Sequence, residues 1–233
     1  MNIKQLKITV FLKEDIDLSY VNESLSQYIN GAMKKNELLS DLHRNGSRYK
    51  FYSFSWLMPK ITNNVCKKGN LYYFHLNSPD EKILNEFEKA FKDHFDDKFV
   101  CCSILLQEYN LDAIKEICTI TPCSITHNDK PLVDKRMSLI RDRILSNSIR
   151  KYNSFFCKNI EEDYDFIEDI EILNNIPQKV YYKKGSILGH RFKLKIKDDT
   201  LSQKLAFFII QSGILEKNSL GLGYCKGFKG EVV

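Results

Sequence analysis

A chain of 233 residues with 43% hydrophobic and 28% charged content has the composition of a folded, water-soluble protein, long enough for one large domain or two small ones. Its formal net charge of +5 favours an anionic partner only mildly, and no apolar run approaches the roughly 20 residues of a membrane helix. Seven cysteines, an odd count with no CxxC pair and no zinc-ligand spacing, read as reduced thiols of a cytoplasmic protein without metal or cofactor.

In chain order, Leu6, Ile8, Val10 and Leu12 alternate with Lys7, Thr9, Phe11 and Lys13, which predicts a half-buried strand and not a signal peptide. Asp17 or Ser19 can cap a first helix with Val21, Leu25, Tyr28, Ile29, Ala32 and Met33 on one face. A shorter helical piece, Glu37 to Arg44, ends at the turn signal Asn45-Gly46. Tyr49 to Trp56 and Leu71 to Leu76 read as aromatic strands. Ser78-Pro79-Asp80-Glu81 predicts a helix start with Ser78 as cap and Glu81 closing a capping box; Leu84, Phe87, Phe91 and Phe95 form the buried stripe. Phe99 to Leu106, apolar on both faces, reads as a central strand. Strand, helix, strand, strand, helix, strand is the ferredoxin-like order shared by RNA-recognition modules.

The order repeats in the second half. Ile114 to Thr121 reads as a strand, and Leu132 to Phe155 as a helix with Val133, Met137, Ile140 and Ile144 inward and Lys135, Arg136, Arg141, Arg143, Arg150 and Lys151 around it. Strands follow near Glu171–Leu173 and Lys179–Lys183, with His190 to Lys197 as hairpin partner. Thr200 caps a last helix carrying Leu201, Leu205, Phe208 and Ile209, and a glycine-rich loop from Gly213 to Gly223 leads to a final strand. The expectation is an α+β protein of tandem ferredoxin-like (RRM-like, βαββαβ) domains, residues 1–110 and 111–233, joined near residues 108–114. The duplication is one of pattern order and not of sequence.

Charge is unevenly spread. Residues 161–171 carry seven acids and no base, read as a solvated loop, whereas residues 174–197 carry seven Lys or Arg and no acid. In the strand His190 to Lys197, period-two alternation puts Arg191, Lys193, Lys195 and Lys197 on one face, and Lys183 and Lys184 precede the turn Gly185–Gly189. That face is either solvated or a phosphate-binding stripe. Of five histidines, His75, His94 and His127 lack a charged constellation and His190 reads as packed. His43 sits among Arg44, Arg48 and Lys50: an ordinary surface histidine, or an imidazole able to pass a proton near neutrality beside cations that hold a phosphate. Periodicity makes Tyr28 a core residue with a wet hydroxyl. The glycine loop is a helix cap with a turn, or a cradle of open amides for phosphate.

Lys217-Asn218-Ser219-Leu220-Gly221-Leu222-Gly223 resembles the C-terminal glycine-rich loop of the CRISPR-associated repeat-processing endoribonucleases numbered six, of the RAMP superfamily. Leu42-His43-Arg44-Asn45-Gly46, followed by Tyr49 to Ser55, is similar to that family's N-terminal segment; Ile144 to Phe156 and Gly185 to Leu194 fit its second domain. The resemblance implies tandem ferredoxin-like domains and metal-independent cleavage of CRISPR precursor RNA within each repeat. The ribose 2′-OH would attack the adjacent phosphodiester, leaving a 2′,3′-cyclic phosphate and a 5′-OH. His43 would be the proton-transfer group, as base or acid; Tyr28 would orient it; Lys50 would stabilise the phosphorane. Together with the basic stripe, the residues expected to contact RNA are Arg44, Arg48, Lys184, Arg191, Lys193, Lys195, Lys217, Asn218, Ser219, Gly221 and Gly223. The implied partners are repeat RNA and other CRISPR effector-complex proteins, for a monomer or homodimer with no membrane contact. The alternative is a non-catalytic RNA-binding RAMP subunit of such a complex, which keeps the loop and stripe but needs no histidine. One departure and one awkward placement stand out. Gly213-Ile214-Leu215 occupies the place of a Gly-x-Gly pair, and Lys50 shares a strand face with Tyr52, Phe54 and Trp56, so it must lie at the strand edge to reach a phosphate.

Overall fold

The computed structural model describes residues 2–44, 49–59, 64–127, 130–131, 136–183 and 185–230. The chain opens with β1 (Asn2–Leu12), whose alternation buries Leu6, Ile8, Val10 and Leu12 on one face. β2 (Ile16–Asp17) leads into α1 (Leu18–Met33), capped by the Asp17 carboxylate, which accepts from the Ser19 amide at 2.8 Å. Then come α2 (Glu37–Arg44), β3 (Ser53–Phe54), β4 (Val65–Cys66), β5 (Leu71–Asn77), α3 (Glu81–Phe91) and β6 (Phe99–Asn110). The first sheet has the order β3-β5-β1-β6. Val21, Leu25 and Ile29 of α1 and Leu84, Phe87 and Phe91 of α3 close its core.

The second half contains β7 (Glu116–Thr119), β8 (Thr126–His127), β9 (Lys130–Pro131), α4 (Met137–Phe156), β10 (Ile167–Ile172), β11 (Gln178–Tyr182), β12 (Gly185–Gly189), β13 (Phe192–Ile196), α5 (Thr200–Ser212) and β14 (Cys225–Phe228). Its main sheet has the order β10-β13-β7-β14. Numbered within each half, both sheets run second, third, first, fourth, and each has its main helices after the first and third strands. The molecule is therefore a tandem ferredoxin-like α+β protein. The halves interlock: Ile3 of β1 is part of the second core, the Ser53 hydroxyl donates to the Gln211 carbonyl at 3.2 Å, and the Asn77 amide donates to the Ile210 carbonyl at 3.1 Å.

Several local expectations are corrected. β6 is an edge strand, not a central one, and Leu105 on it is 55% exposed. Pairing decides centrality, and β1 pairs with both β5 and β6 although its outer face carries Lys7, whose ammonium lies 4.2 Å from the Tyr73 ring centre. Asp80, not Ser78, caps α3, accepting from the Lys82 amide at 2.9 Å, while the Ser78 hydroxyl donates to the Phe51 carbonyl at 2.8 Å. Asp199, not Thr200, caps α5 through the Leu201 and Ser202 amides. In both places a charged acceptor outcompetes a hydroxyl. The partner of β11 is β12, whereas β13 pairs with β10 and β7. The acidic run is not a loop: its second half is β10, which sets Glu171 opposite Lys193 and Asp169 opposite Lys195.

Candidate active site

The predicted aromatic strand from Tyr49 to Trp56 forms ladder pairs only at Ser53–Phe54. The cause is Phe51, which adopts a left-handed φ of 49°. Its ring crosses to the second half and meets Phe155 edge-on at a centroid distance of 5.0 Å. Lys50 is thereby freed from strand alternation, so its sequence-level conflict with Tyr52, Phe54 and Trp56 disappears. Lys50 is half-buried, and burial lowers its ammonium below the usual lysine range.

Lys50 lines a cleft of about 240 Å³ between this segment and the glycine-rich loop, with Tyr49, Tyr52, Asn147, Lys217 and Ser219 among the other lining residues. His43, at the last turn of α2, is also half-buried. Its Nδ1 is buried without a hydrogen-bond partner, which leaves Nε2 as the nitrogen that can meet a substrate. Burial first, then the positive charges of Lys50 and Lys34, hold the imidazole below the usual histidine value. The fold thus couples His43 and Lys50 electrically, and a neutral imidazole beside a cation can take a proton from a hydroxyl while the cation holds an anion.

Tyr28 is not part of this group. Its ring is fully buried among Phe91, His94 and Phe99, and its hydroxyl donates to the His94 carbonyl at 3.2 Å. Burial drives the phenol well above its ordinary range. The periodicity reading of Tyr28 as a core residue holds; a hydroxyl at the site does not.

The glycine loop differs from the open cradle expected. The amides of Gly213, Ile214, Gly221 and Gly223 donate to the carbonyls of Ile209, Gly223, Asn218 and Pro122 respectively, and both Gly221 and Gly223 are buried. These glycines serve the loop's own folding. A Cβ on Gly223 would lie 2.0 Å from the Ile214 carbonyl oxygen, and one on Gly221 would lie 2.5 Å from Asn22 Oδ1. Asn218 is an internal strut: its Nδ2 donates to the Ile214 and Leu222 carbonyls, each at 2.9 Å. Leu215, which replaces the second glycine of the expected pair, keeps a left-handed φ of 59° and buries its side chain in the second core. Ser219 and Lys217 remain on the cleft; the Lys217 ammonium donates to the Ser124 hydroxyl at 3.2 Å.

Lys151 was expected on the outside of its helix and is instead buried. Its ammonium donates to the Gly213 carbonyl at 3.0 Å, the Leu215 carbonyl at 2.6 Å and Asn218 Oδ1 at 2.6 Å. A sequence signal existed: Ile140, Ile144 and Ser148 precede it at spacings that extend the inward stripe to position 151.

The remaining predicted contacts are dispersed. Arg44 is exposed and paired with Asp41. The β13 stripe is matched by the neighbouring acids: Lys193 meets Glu171 at 3.0 Å, Lys197 meets Asp165 at 3.3 Å, and Lys195 faces Asp169 in the ladder. The Arg191 amide is held by Asn174 Oδ1 at 2.6 Å. Arg48 and Lys184 lie outside the described residues. Among the described residues no three His, Cys, Asp or Glu side chains come together as metal ligands would.

A comparison with curated proteins finds one named CRISPR-associated endoribonuclease Cas6 2, from Methanocaldococcus jannaschii, 26% identical over 249 residues and covering 97% of this chain and all of that one. This chain is similar to the Cas6 endoribonucleases along its whole length. Among solved structures, a RAMP protein described as binding different RNA substrates matches with a TM-score of 0.75 at 17% identity, covering 97% of this chain and 99% of that one. A CRISPR-associated protein Cas6 matches with a TM-score of 0.71, also at 17% identity, covering 98% and 100%. These two likenesses carry the fold, and the Cas6 relative extends the resemblance to the sequence. No protein-family model matches.

Proposed function

We propose that this protein is an endoribonuclease that cuts CRISPR precursor RNA within its repeats, by attack of a ribose 2′-OH and without a metal ion. The reading rests on one observation above all: a half-buried imidazole with an unpartnered Nδ1, lowered in part by the charge of Lys50, which itself lines the cleft beside the glycine-rich loop. The full-length similarity to a curated Cas6 endoribonuclease supports the substrate class.

In this mechanism the 2′-OH proton passes to Nε2 of neutral His43 as the O2′–P bond forms. The bond from phosphorus to O5′ then breaks, the departing oxygen takes up a proton from water, and the hydroxide so formed is neutralised by the His43 imidazolium. The products are a 2′,3′-cyclic phosphate and a 5′-OH. The nucleophile belongs to the RNA, so the protein's tasks are to align the phosphate, move protons and stabilise charge. A depressed His43 value suits the base role, because the imidazole is then unprotonated at neutral pH. Lys50 would hold the phosphorane oxygens. Residues 1–110 would carry this chemistry and residues 111–233 the loop wall that receives the RNA.

Repeat RNA with a single 2′-deoxy nucleotide at the cut site tests the reading. Cleavage should stop at that site while binding persists. Cleavage that continues there would sink the mechanism.

A further inference from the structure

The opposite wall of the cleft depends on a residue to which neither the sequence reading nor the proposed chemistry gives a role. We propose that Lys151 is a positioning residue that fixes the loop Gly213–Asn218 as the RNA-receiving wall, so that substrate affinity depends on it while the chemical step does not. This rests on the endoribonuclease reading above.

The argument is geometric. The ammonium of Lys151 has three protons, and three acceptors surround it: the carbonyls of Gly213 and Leu215 and the Oδ1 of Asn218, at 2.6–3.0 Å. Two of those acceptors flank Ile214, and the third is the strut that spans the loop to Leu222. Leu215 and Lys217 both sit in left-handed backbone, at φ 59° each, a conformation that side-chain-bearing residues resist. Lys151 therefore anchors the loop on both sides of its left-handed turn. Ser219 and Lys217, which line the cleft, hang from that turn. Because the glycine amides are occupied inside the loop, its cleft-lining side chains, Glu216 with Lys217 and Ser219 among them, and its shape are what it offers a ligand.

The same geometry makes the anchor sensitive to pH. Burial lowers the Lys151 ammonium to about 7. The titratable groups facing it are Cys225, Cys123 and Glu216. Burial pushes the Cys225 thiol up to about 12 and raises that of Cys123 as well, so neither titrates near neutrality. A neutral amine has two donors for three acceptors, and the loop loses one tether.

The test uses repeat RNA made non-cleavable by a 2′-deoxy nucleotide for affinity, and natural repeat RNA at saturation for rate, with wild type, Lys151→Met and Lys151→Gln. The expected result is an affinity loss of about tenfold or more for Lys151→Met, which removes all three charged hydrogen bonds, with a saturated cleavage rate within about threefold of wild type. Lys151→Gln, which keeps two donors, should recover part of the affinity. Wild-type affinity at fixed salt should weaken severalfold between pH 6.5 and 8.5. A folded Lys151→Met that binds RNA as tightly as wild type despite a lowered melting temperature overturns the proposal and leaves the endoribonuclease reading intact. If neither variant folds, Asn218→Ser, which withdraws one acceptor of the same anchor, is read in the same way, and unchanged RNA affinity overturns the proposal. If the wild type binds no repeat RNA, the functional reading fails and this inference with it.

Discussion

The two walls of the cleft are built on opposite terms. On the loop wall, glycine amides, the Asn218 amide and the Lys151 ammonium are all engaged inside the protein. On the other wall, Lys50 is half-buried with a lowered ammonium, and its charge helps to lower His43 on α2, whose Nδ1 is buried without a partner. A satisfied wall holds a shape; a half-buried cation with a lowered ammonium has interaction free energy left for an anionic ligand. The difference suits the loop to scaffolding and, under the proposed function, leaves the chemistry to His43 and Lys50, where the family resemblance puts it.

The comparison can be broken by substitution. The largest effect is expected from His43→Ala: repeat cleavage should fall by about 10²–10⁴-fold, the usual worth of a positioned acid or base, with RNA affinity nearly unchanged. Single-turnover rates beside binding isotherms check it. Next is Gly223→Ala, whose new methyl would meet the Ile214 carbonyl at 2.0 Å in left-handed backbone at φ 67°. A stability loss of about 3 kcal/mol is expected by denaturant melts. Gly69→Ala, at φ 84° with no atom within 4 Å of the added carbon, should cost only about 1 kcal/mol.

Lys50→Gln probes the coupling across the active wall. Cleavage should drop about tenfold or more through loss of phosphate stabilisation. The pH effect has a definite sign. His43 must be unprotonated to act as base, so the rate falls as pH drops through its lowered value, below 6.5. Removing the Lys50 charge removes one cause of that lowering, and the acid limb should move up in pH. NMR titration of the His43 ring reads this without activity, and an unmoved titration would show the two residues to be uncoupled. The smallest effect is expected from Lys193→Gln. Its charge is already matched by Glu171 at 3.0 Å, so RNA affinity should change by no more than about twofold.

Much of the fold was legible in the sequence because amphipathic periodicity carries element order: β1, α1, α2, α3 and α5 lie near their predicted places. Periodicity says which face is inward and not which strands pair, so an edge strand with apolar residues on both faces, β6, read as central. Helix starts slipped by one or two residues where an aspartate stood next to a hydroxyl, at Asp80 and Asp199. Of the proposed site, His43 and Lys50 were picked out in the sequence as a histidine amid cations. Lys50's accessibility was not, because it depends on the left-handed turn at Phe51, a residue type that gives no hint of one. The basic stripe read as free because its acids lie some twenty-five residues earlier and meet it only in the β10–β13 ladder. Tyr28 shows the opposite case: its burial was plain from the helix face, and the family resemblance overrode it.

The most direct test of the account is chemical rescue. His43→Ala should be nearly inactive on repeat RNA in the presence of EDTA, and added imidazole should restore cleavage at the same bond, with a pH dependence that follows the titration of the added base. Cleavage by the wild type that requires a divalent ion, or a His43→Ala protein as active as wild type without imidazole, would contradict it.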